Sequence, residues 1–121
     1  ETGVSVIVDL KTCVNADTDA FFRSCLKYGY DLQAALYKRG VEQFERKPHR
    51  FVFIAVEKEP PYAFNILEAD ALFINKGNDD LNNYLDTVAQ CRATGNWYGY
   101  NGENGEPNLI CLPSWLAKEY E

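Results

Sequence analysis

Apolar positions along the chain follow two rhythms, and their alternation lays out the fold. Val4-Ser5-Val6-Ile7-Val8-Asp9-Leu10-Lys11 is a β-branched, apolar run that reads as a buried strand over 4–11. Asn15-Ala16-Asp17-Thr18-Asp19 is a turn supplied with helix-capping residues. A helix is expected over 18–28 with Phe22, Cys25 and Leu26 on one face, and Gly29 breaks or bends it. A second helix over 31–45 offers Leu32, Ala35, Leu36 and Phe44 to the core, and Pro48 enforces an end nearby. Residues 50–57, Arg-Phe-Val-Phe-Ile-Ala-Val-Glu, are apolar on both faces and predict a central strand. Pro60-Pro61 turns the chain, and Tyr62 to Leu67 forms a hairpin with that strand. A helical segment begins near Glu68, is interrupted around Gly77 and resumes near Asp79, where Leu81, Tyr84, Leu85, Val88, Ala89 and Arg92 keep helical spacing. A Gly- and Asn-rich loop from Thr94 carries Trp97, Tyr98 and Tyr100. Ile110 to Trp115 then returns to packed structure, with a short helical tail. No repeat, linker or second domain interrupts this order. It predicts a single α/β domain over 1–121 with a mixed sheet.

Composition narrows the class. With 121 residues, 46% hydrophobic and 25% charged, the chain can bury a sizeable core. No apolar run approaches the roughly 20 residues of a membrane span, and no signal-peptide pattern opens the chain. Methionine is absent even at position 1, which suggests a fragment, a processed chain or a tag-derived start, and the opening directly on a strand points to a fragment. Net charge is −6, but its distribution is uneven. Residues 1–60 hold nine acids and nine bases, whereas 61–121 hold nine acids and three bases. Lys38, Arg39, Arg46, Lys47 and Arg50 crowd one region around His49. They read either as a solvated helix end or as a phosphate-tracking patch, since binding responds to local potential rather than to net charge. His49 itself reads as a surface residue. Cys13, Cys25, Cys91 and Cys111 lack close pairs, so reduced, partly buried thiols are expected ahead of a disulfide or a metal site.

Chemistry concentrates at Asp9-Leu10-Lys11. Strand side chains alternate, so Asp9 and Lys11 share one side of a strand end. A carboxylate can hold a hard divalent cation, and an adjacent ammonium can steady an attacking water or developing negative charge. The tripeptide alone has little specificity. Gln33-Ala34-Ala35-Leu36-Tyr37 adds a second signal, because residues i and i+4 of a helix share a face. A glutamine amide can accept from a lysine or donate to a phosphate, and a tyrosine hydroxyl can do either. The plainer reading is a polar helix edge. Glu57, at the end of the central strand, reads as a solvent-meeting carboxylate ahead of a metal-shell acid. The loop aromatics read as packing residues ahead of base-stacking ones.

Taken together, Asp9-Leu10-Lys11-Thr12, Tyr30 to Tyr37, Phe51 to Glu57, Pro60-Pro61-Tyr62, Cys91 to Trp97, Leu112 to Trp115 and Ala117 to Tyr120 resemble the exonuclease VIII (RecE-like) branch of the PD-(D/E)xK nucleases. The Q-x-x-x-Y helix is shared with RecB-type nuclease domains. The resemblance implies a restriction-endonuclease-like core with a mixed central sheet flanked by helices. It implies a magnesium-dependent exodeoxyribonuclease, with Mn2+ as a substitute, degrading linear double-stranded DNA from 5′ ends. Such an enzyme leaves 3′ overhangs for a RecT-like single-strand annealing protein in phage-type recombination. By position, Asp9 and the Leu10 carbonyl would bind metal, and Lys11 would be the catalytic lysine. Gln33 and Tyr37 would complete the site. A ring-shaped homo-oligomer and a cytoplasmic location, in a bacterial host or encoded by its phage, are also implied.

The chain departs from that pattern upstream. Members carry another metal-binding acid on the preceding strand and usually a histidine on an earlier helix. Only eight residues precede Asp9 here, and Glu1 is the one acid among them. The resemblance is therefore to the C-terminal portion of a nuclease core lacking its N-terminal elements. Two alternatives follow: a catalytically incomplete DNA-binding or oligomerisation fragment, and another RecB-type repair nuclease. Repair nucleases of that kind commonly hold an iron–sulfur cluster on closely spaced cysteines, which Cys91 and Cys111 do not provide.

Overall fold

A computed structural model describes residue 3 and residues 5–120. Element order is β1 (Val6–Cys13), α1 (Thr18–Tyr28), α2 (Tyr30–Glu45), β2 (Arg50–Glu57), β3 (Phe64–Glu68), α3 (Ala71–Thr94) and α4 (Ser114–Ala117). The described residues fall into two compact units, through Asp86 and from Thr87 onward. No helix among them is long and apolar enough to cross a membrane.

In the first unit the three strands pair in the order β1-β2-β3. β2 runs parallel to β1, with Asp9 opposite Phe53 and Lys11 opposite Ala55, and antiparallel to β3. The mixed sheet and the central place of β2 agree with its two-sided apolar sequence. β1 departs from expectation: it is an edge strand and none of its residues is fully buried. Val4 and Glu1 lie outside the described residues.

Side-chain alternation divides the sheet into two faces. Phe51, Phe53 and Ala55 point into the core with Ile7, Cys13 and Leu67, and meet Phe21, Cys25, Ala34 and Ile74 from the helices. The opposite face carries Val8, Leu10 and Ile66 in the open.

Local chemistry sets the helix ends. The Asp17 side chain caps α1 by accepting from the Asp19 and Ala20 N–H groups at 3.1 and 3.4 Å. Gly29 sits at φ 68°, a left-handed conformation that glycine adopts without steric penalty. It closes α1 through its N–H to the Cys25 carbonyl and opens α2 by accepting from Gln33. The Glu57 carboxylate accepts from the Ala16 N–H at 3.0 Å, and Asn65 donates to the Ala16 carbonyl at 2.9 Å. Glu57 thereby ties the β1–α1 loop to the sheet.

Several expected core contacts are replaced by neighbours. α1 buries Phe21 and Cys25, while Phe22 and Leu26 are half exposed. α2 buries Asp31, Ala34 and Ala35, while Leu36 is half exposed and Phe44 is 89% exposed. Small residues on that stripe let α2 approach its neighbours closely. The expected break at Gly77 does not occur: α3 is continuous from Ala71, and Asp70 accepts from the Phe73 N–H at its start. His49 is buried rather than on the surface, with Nδ1 3.0 Å from the Lys47 carbonyl and Nε2 2.9 Å from Glu45. In the second unit Trp97, Tyr100, Ile110, Leu112 and Trp115 are exposed, so 110–115 is not packed structure. A four-residue helix in an irregular stretch supplies no second layer against which to bury them.

Candidate active site

The site begins with two charges on the wrong side of a strand. Asp9 and Lys11 lie on the same face of β1 as Ile7 and Cys13, the face that packs toward the helices. Each side chain is only 15% exposed. Burying charged groups is unfavourable unless they are paired, so this placement requires partners. Lys11 Nζ stands 3.1 Å from Asp9 Oδ2 and donates to Gln33 Oε1 at 2.5 Å. Gln33 Nε2 in turn donates to the Tyr37 hydroxyl at 3.0 Å. The four residues form one polar line from strand to helix: Asp9, Lys11, Gln33, Tyr37. Lys11 Nζ also lies 4.4 Å from the centroid of the Tyr30 ring. Tyr30, Gln33 and Tyr37 keep i, i+3, i+7 spacing on α2, a stripe from which Tyr30 was legible but not singled out.

Asp9 is incompletely satisfied. Its Oδ2 is buried, and although the Lys11 ammonium is close, the direction of approach makes no hydrogen bond. A buried carboxylate oxygen with unshared lone pairs matches a hard divalent cation in kind. It falls short in number, because no cluster of three or more His, Cys, Asp or Glu exists among the described residues. Magnesium commonly takes one or two carboxylates and completes its shell with water and substrate phosphate, so Asp9 and the Leu10 carbonyl are the groups that would hold it here. Such an ion polarises phosphoryl oxygens and activates water.

Charges around this line are mostly tied up. Asp31, 2% exposed, accepts from Lys76 Nζ at 2.5 Å, and Asp80 accepts from it at 2.7 Å. These hydrogen bonds, that to Asp31 first, hold the Lys76 ammonium well above the usual lysine range. Burial pushes the Cys25 thiol up to about 11, and the nearby Asp31 charge adds to that. In the basic cluster, Lys38 bridges Glu42 and the His49 carbonyl, and Arg39 donates to Asn78 and Asn82. Lys47 pairs with Glu45, and Arg50 makes a two-pronged pair with Glu68. Arg46 caps α2 in a left-handed conformation at φ 55°.

With this geometry in hand, family comparison is decisive. Residues 3–105 match the family described as a PDDEXK-like domain of unknown function. The chain belongs to that family. The PDDEXK-like domain also superposes on a solved chain from Eubacterium rectale named "Putative exonuclease", with a TM-score of 0.61 and 14% identity. The match covers 97% of this chain and 47% of the solved chain, so this chain spans about half of that one's length. At this identity the likeness establishes the fold, an α/β restriction-endonuclease-like core. Among curated proteins, none matches the sequence. All four cysteines are free: Cys25 and Cys91 buried, Cys13 half-buried, Cys111 exposed.

Proposed function

We propose that this PDDEXK-like domain is part of a divalent-metal-dependent DNA exonuclease of the RecE-like branch. Its substrate is linear double-stranded DNA, degraded from 5′ ends to leave 3′ overhangs for a RecT-like annealing protein in phage-type recombination. The observation that carries the nuclease reading is the line Asp9–Lys11–Gln33–Tyr37, in which a half-satisfied buried carboxylate meets an amide-held ammonium. Asp9 with the Leu10 carbonyl binds Mg2+, for which Mn2+ substitutes. Lys11 orients the water or stabilises the charge of the pentavalent phosphorane, and Gln33 with Tyr37 fixes the lysine or meets the phosphate. Lys38, Arg39, Arg46, Lys47 and Arg50 serve the DNA backbone, Arg46 being the one for which the side chain is not engaged in a described pair. A ring of copies in the bacterial cytoplasm, as the family resemblance implies, supplies processivity.

A second reading has its own observation. Only one carboxylate, Asp9, stands in the line, and no metal-holding cluster exists among the described residues. That favours a DNA-binding or oligomerisation module whose catalytic acid comes from elsewhere, or a RecB-type repair nuclease with a different task. The test is digestion of 5′-phosphorylated linear duplex by the chain with MgCl2, beside EDTA and Lys11→Ala. Digestion lost in both controls supports the exonuclease. Salt-sensitive binding without digestion by folded protein supports the module.

A further inference from the structure

Lys11 has three supports of different kinds, and the third has no part in hydrogen bonding. Asp9 offers charge and Gln33 an amide oxygen, while the Tyr30 ring presents its face 4.4 Å from the ammonium. That distance is well inside the roughly 6 Å range over which an aromatic quadrupole attracts a cation. The ring is itself held. Its centroid lies 6.0 Å from that of Phe21, 6.3 Å from Phe53 and 5.8 Å from Tyr28. Phe21 and Phe53 are each 2% exposed, so Tyr30 transmits the rigidity of the core to the lysine. Its position one turn before Gln33 places ring and amide on the same stripe of α2.

We propose that Tyr30 is a positioning residue for Lys11. Its ring face steadies the ammonium beside Asp9 without occupying it as a hydrogen-bond acceptor would, leaving an N–H to face the reacting phosphate. The catalytic consequence rests on the nuclease reading above, whereas the contact does not.

Two measurements separate these. By NMR, the Lys11 ε-methylene protons, identified by their loss in Lys11→Met, should show an upfield ring-current shift. The shift should persist in Tyr30→Phe and vanish in Tyr30→Leu, with amide spectra showing that both variants fold. In magnesium-dependent cleavage, Tyr30→Leu should lower kcat about 10-fold with KM for duplex DNA within about twofold, and Tyr30→Phe should restore it. An unshifted Lys11 signal in the unsubstituted chain, or one that survives Tyr30→Leu, overturns the proposal. So does Tyr30→Phe cleaving as slowly as Tyr30→Leu, which would assign the effect to the hydroxyl. If the unsubstituted chain cleaves no DNA, cleavage needs an acid from outside it, and the ε-methylene signal alone decides whether the ring holds the ammonium.

Discussion

Gly77 lies directly against Asp31: a Cβ placed on Gly77 would stand 2.1 Å from the Asp31 carbonyl oxygen and 3.0 Å from the Ala35 Cβ. The glycine is what lets α3 reach the stripe of α2 that carries Asp31 and Ala35. Backbone cannot swing away as a flexible side chain does. Gly77→Ala should therefore destabilise the protein by about 3 kcal/mol or more, although alanine is the better helix former by about 1 kcal/mol. Urea unfolding reads this directly. A Gly77→Ala chain as stable as the original would mean that the helices are not in this contact.

At the far end of α2, Glu42 joins helix to sheet by accepting from Lys38 and from the His49 N–H at 2.6 Å. Partial burial pushes its pKa up, but the Lys38 and His49 hydrogen bonds outweigh this and hold it below the usual carboxylate range. A depressed carboxylate contributes stability that is present above its unfolded value and is lost as pH falls through the folded one. Glu42→Gln should thus lower stability on the order of 1 kcal/mol at neutral pH. The gap between the two proteins should close as pH drops below about 4. Thermal unfolding across pH 3 to 7 checks it, and a gap that stays constant with pH would refute the assignment.

Thiol reactivity follows from burial. Cys25 is 2% exposed with its pKa pushed up to about 11, and Cys13 is shifted upward by burial and then by Glu57. Cys111 is exposed. Since the thiolate is the reactive form, an aromatic disulfide reagent at pH 8 should show a fast phase due to Cys111. Cys111→Ser should remove that phase, and Cys25 should react only on unfolding. A fast phase that survives Cys111→Ser and Cys13→Ser together would show that the core opens readily.

The elements that were legible in sequence share a local cause. α1 spans Thr18–Tyr28, the range its sequence predicts, because Asp17 and Gly29 are strong start and stop signals in their own right. The strand over 50–57 was placed centrally because both of its faces are apolar. Gln33 and Tyr37 were paired by helical spacing alone. What sequence missed depends on contacts between elements. Gly77 looked like an interruption because its intrinsic cost is visible locally and the close approach of α2 is not. Phe22 and Leu26 looked like core, but the orientation of α1 turns Phe21 inward instead. His49 looked like surface among basic neighbours, yet carbonyl and carboxylate partners for both ring nitrogens let it be buried.

Gln33 links the two ends of the polar line, accepting from Lys11 and donating to Tyr37. Replacing it by leucine removes the acceptor that fixes the ammonium and strands the tyrosine hydroxyl. Under the nuclease reading, Gln33→Leu should reduce kcat about 10- to 100-fold, in line with loss of a charge-assisted hydrogen bond. Tyr37→Phe removes only the terminal, half-exposed hydroxyl and should cost about 10-fold or less. Steady-state cleavage of linear duplex ranks the two. The reverse order would place Tyr37, not Gln33, next to the reacting phosphate.

Asp9 sets the last expectation, because it is the charge partner of Lys11 and also the carboxylate that would hold a cation. A buried oxygen without a hydrogen-bond partner is unfavourable in the metal-free protein, and functional sites carry such strain in exchange for activity. Asp9→Asn keeps the shape, keeps an oxygen near Lys11 and removes the charge. Without metal it should unfold below the original chain, because the largely buried Lys11 ammonium loses its charged partner. Magnesium should then widen the gap. A cation that binds only the folded state adds RT ln(1 + [L]/Kd), about 1.4 kcal/mol for a millimolar Kd at 10 mM MgCl2. The original chain should gain on that order and Asp9→Asn nothing, read as thermal midpoints with and without MgCl2 at constant ionic strength. Equal gains would move the cation away from Asp9. No gain in either would mean that one carboxylate and a carbonyl do not hold the ion without DNA or a further acid.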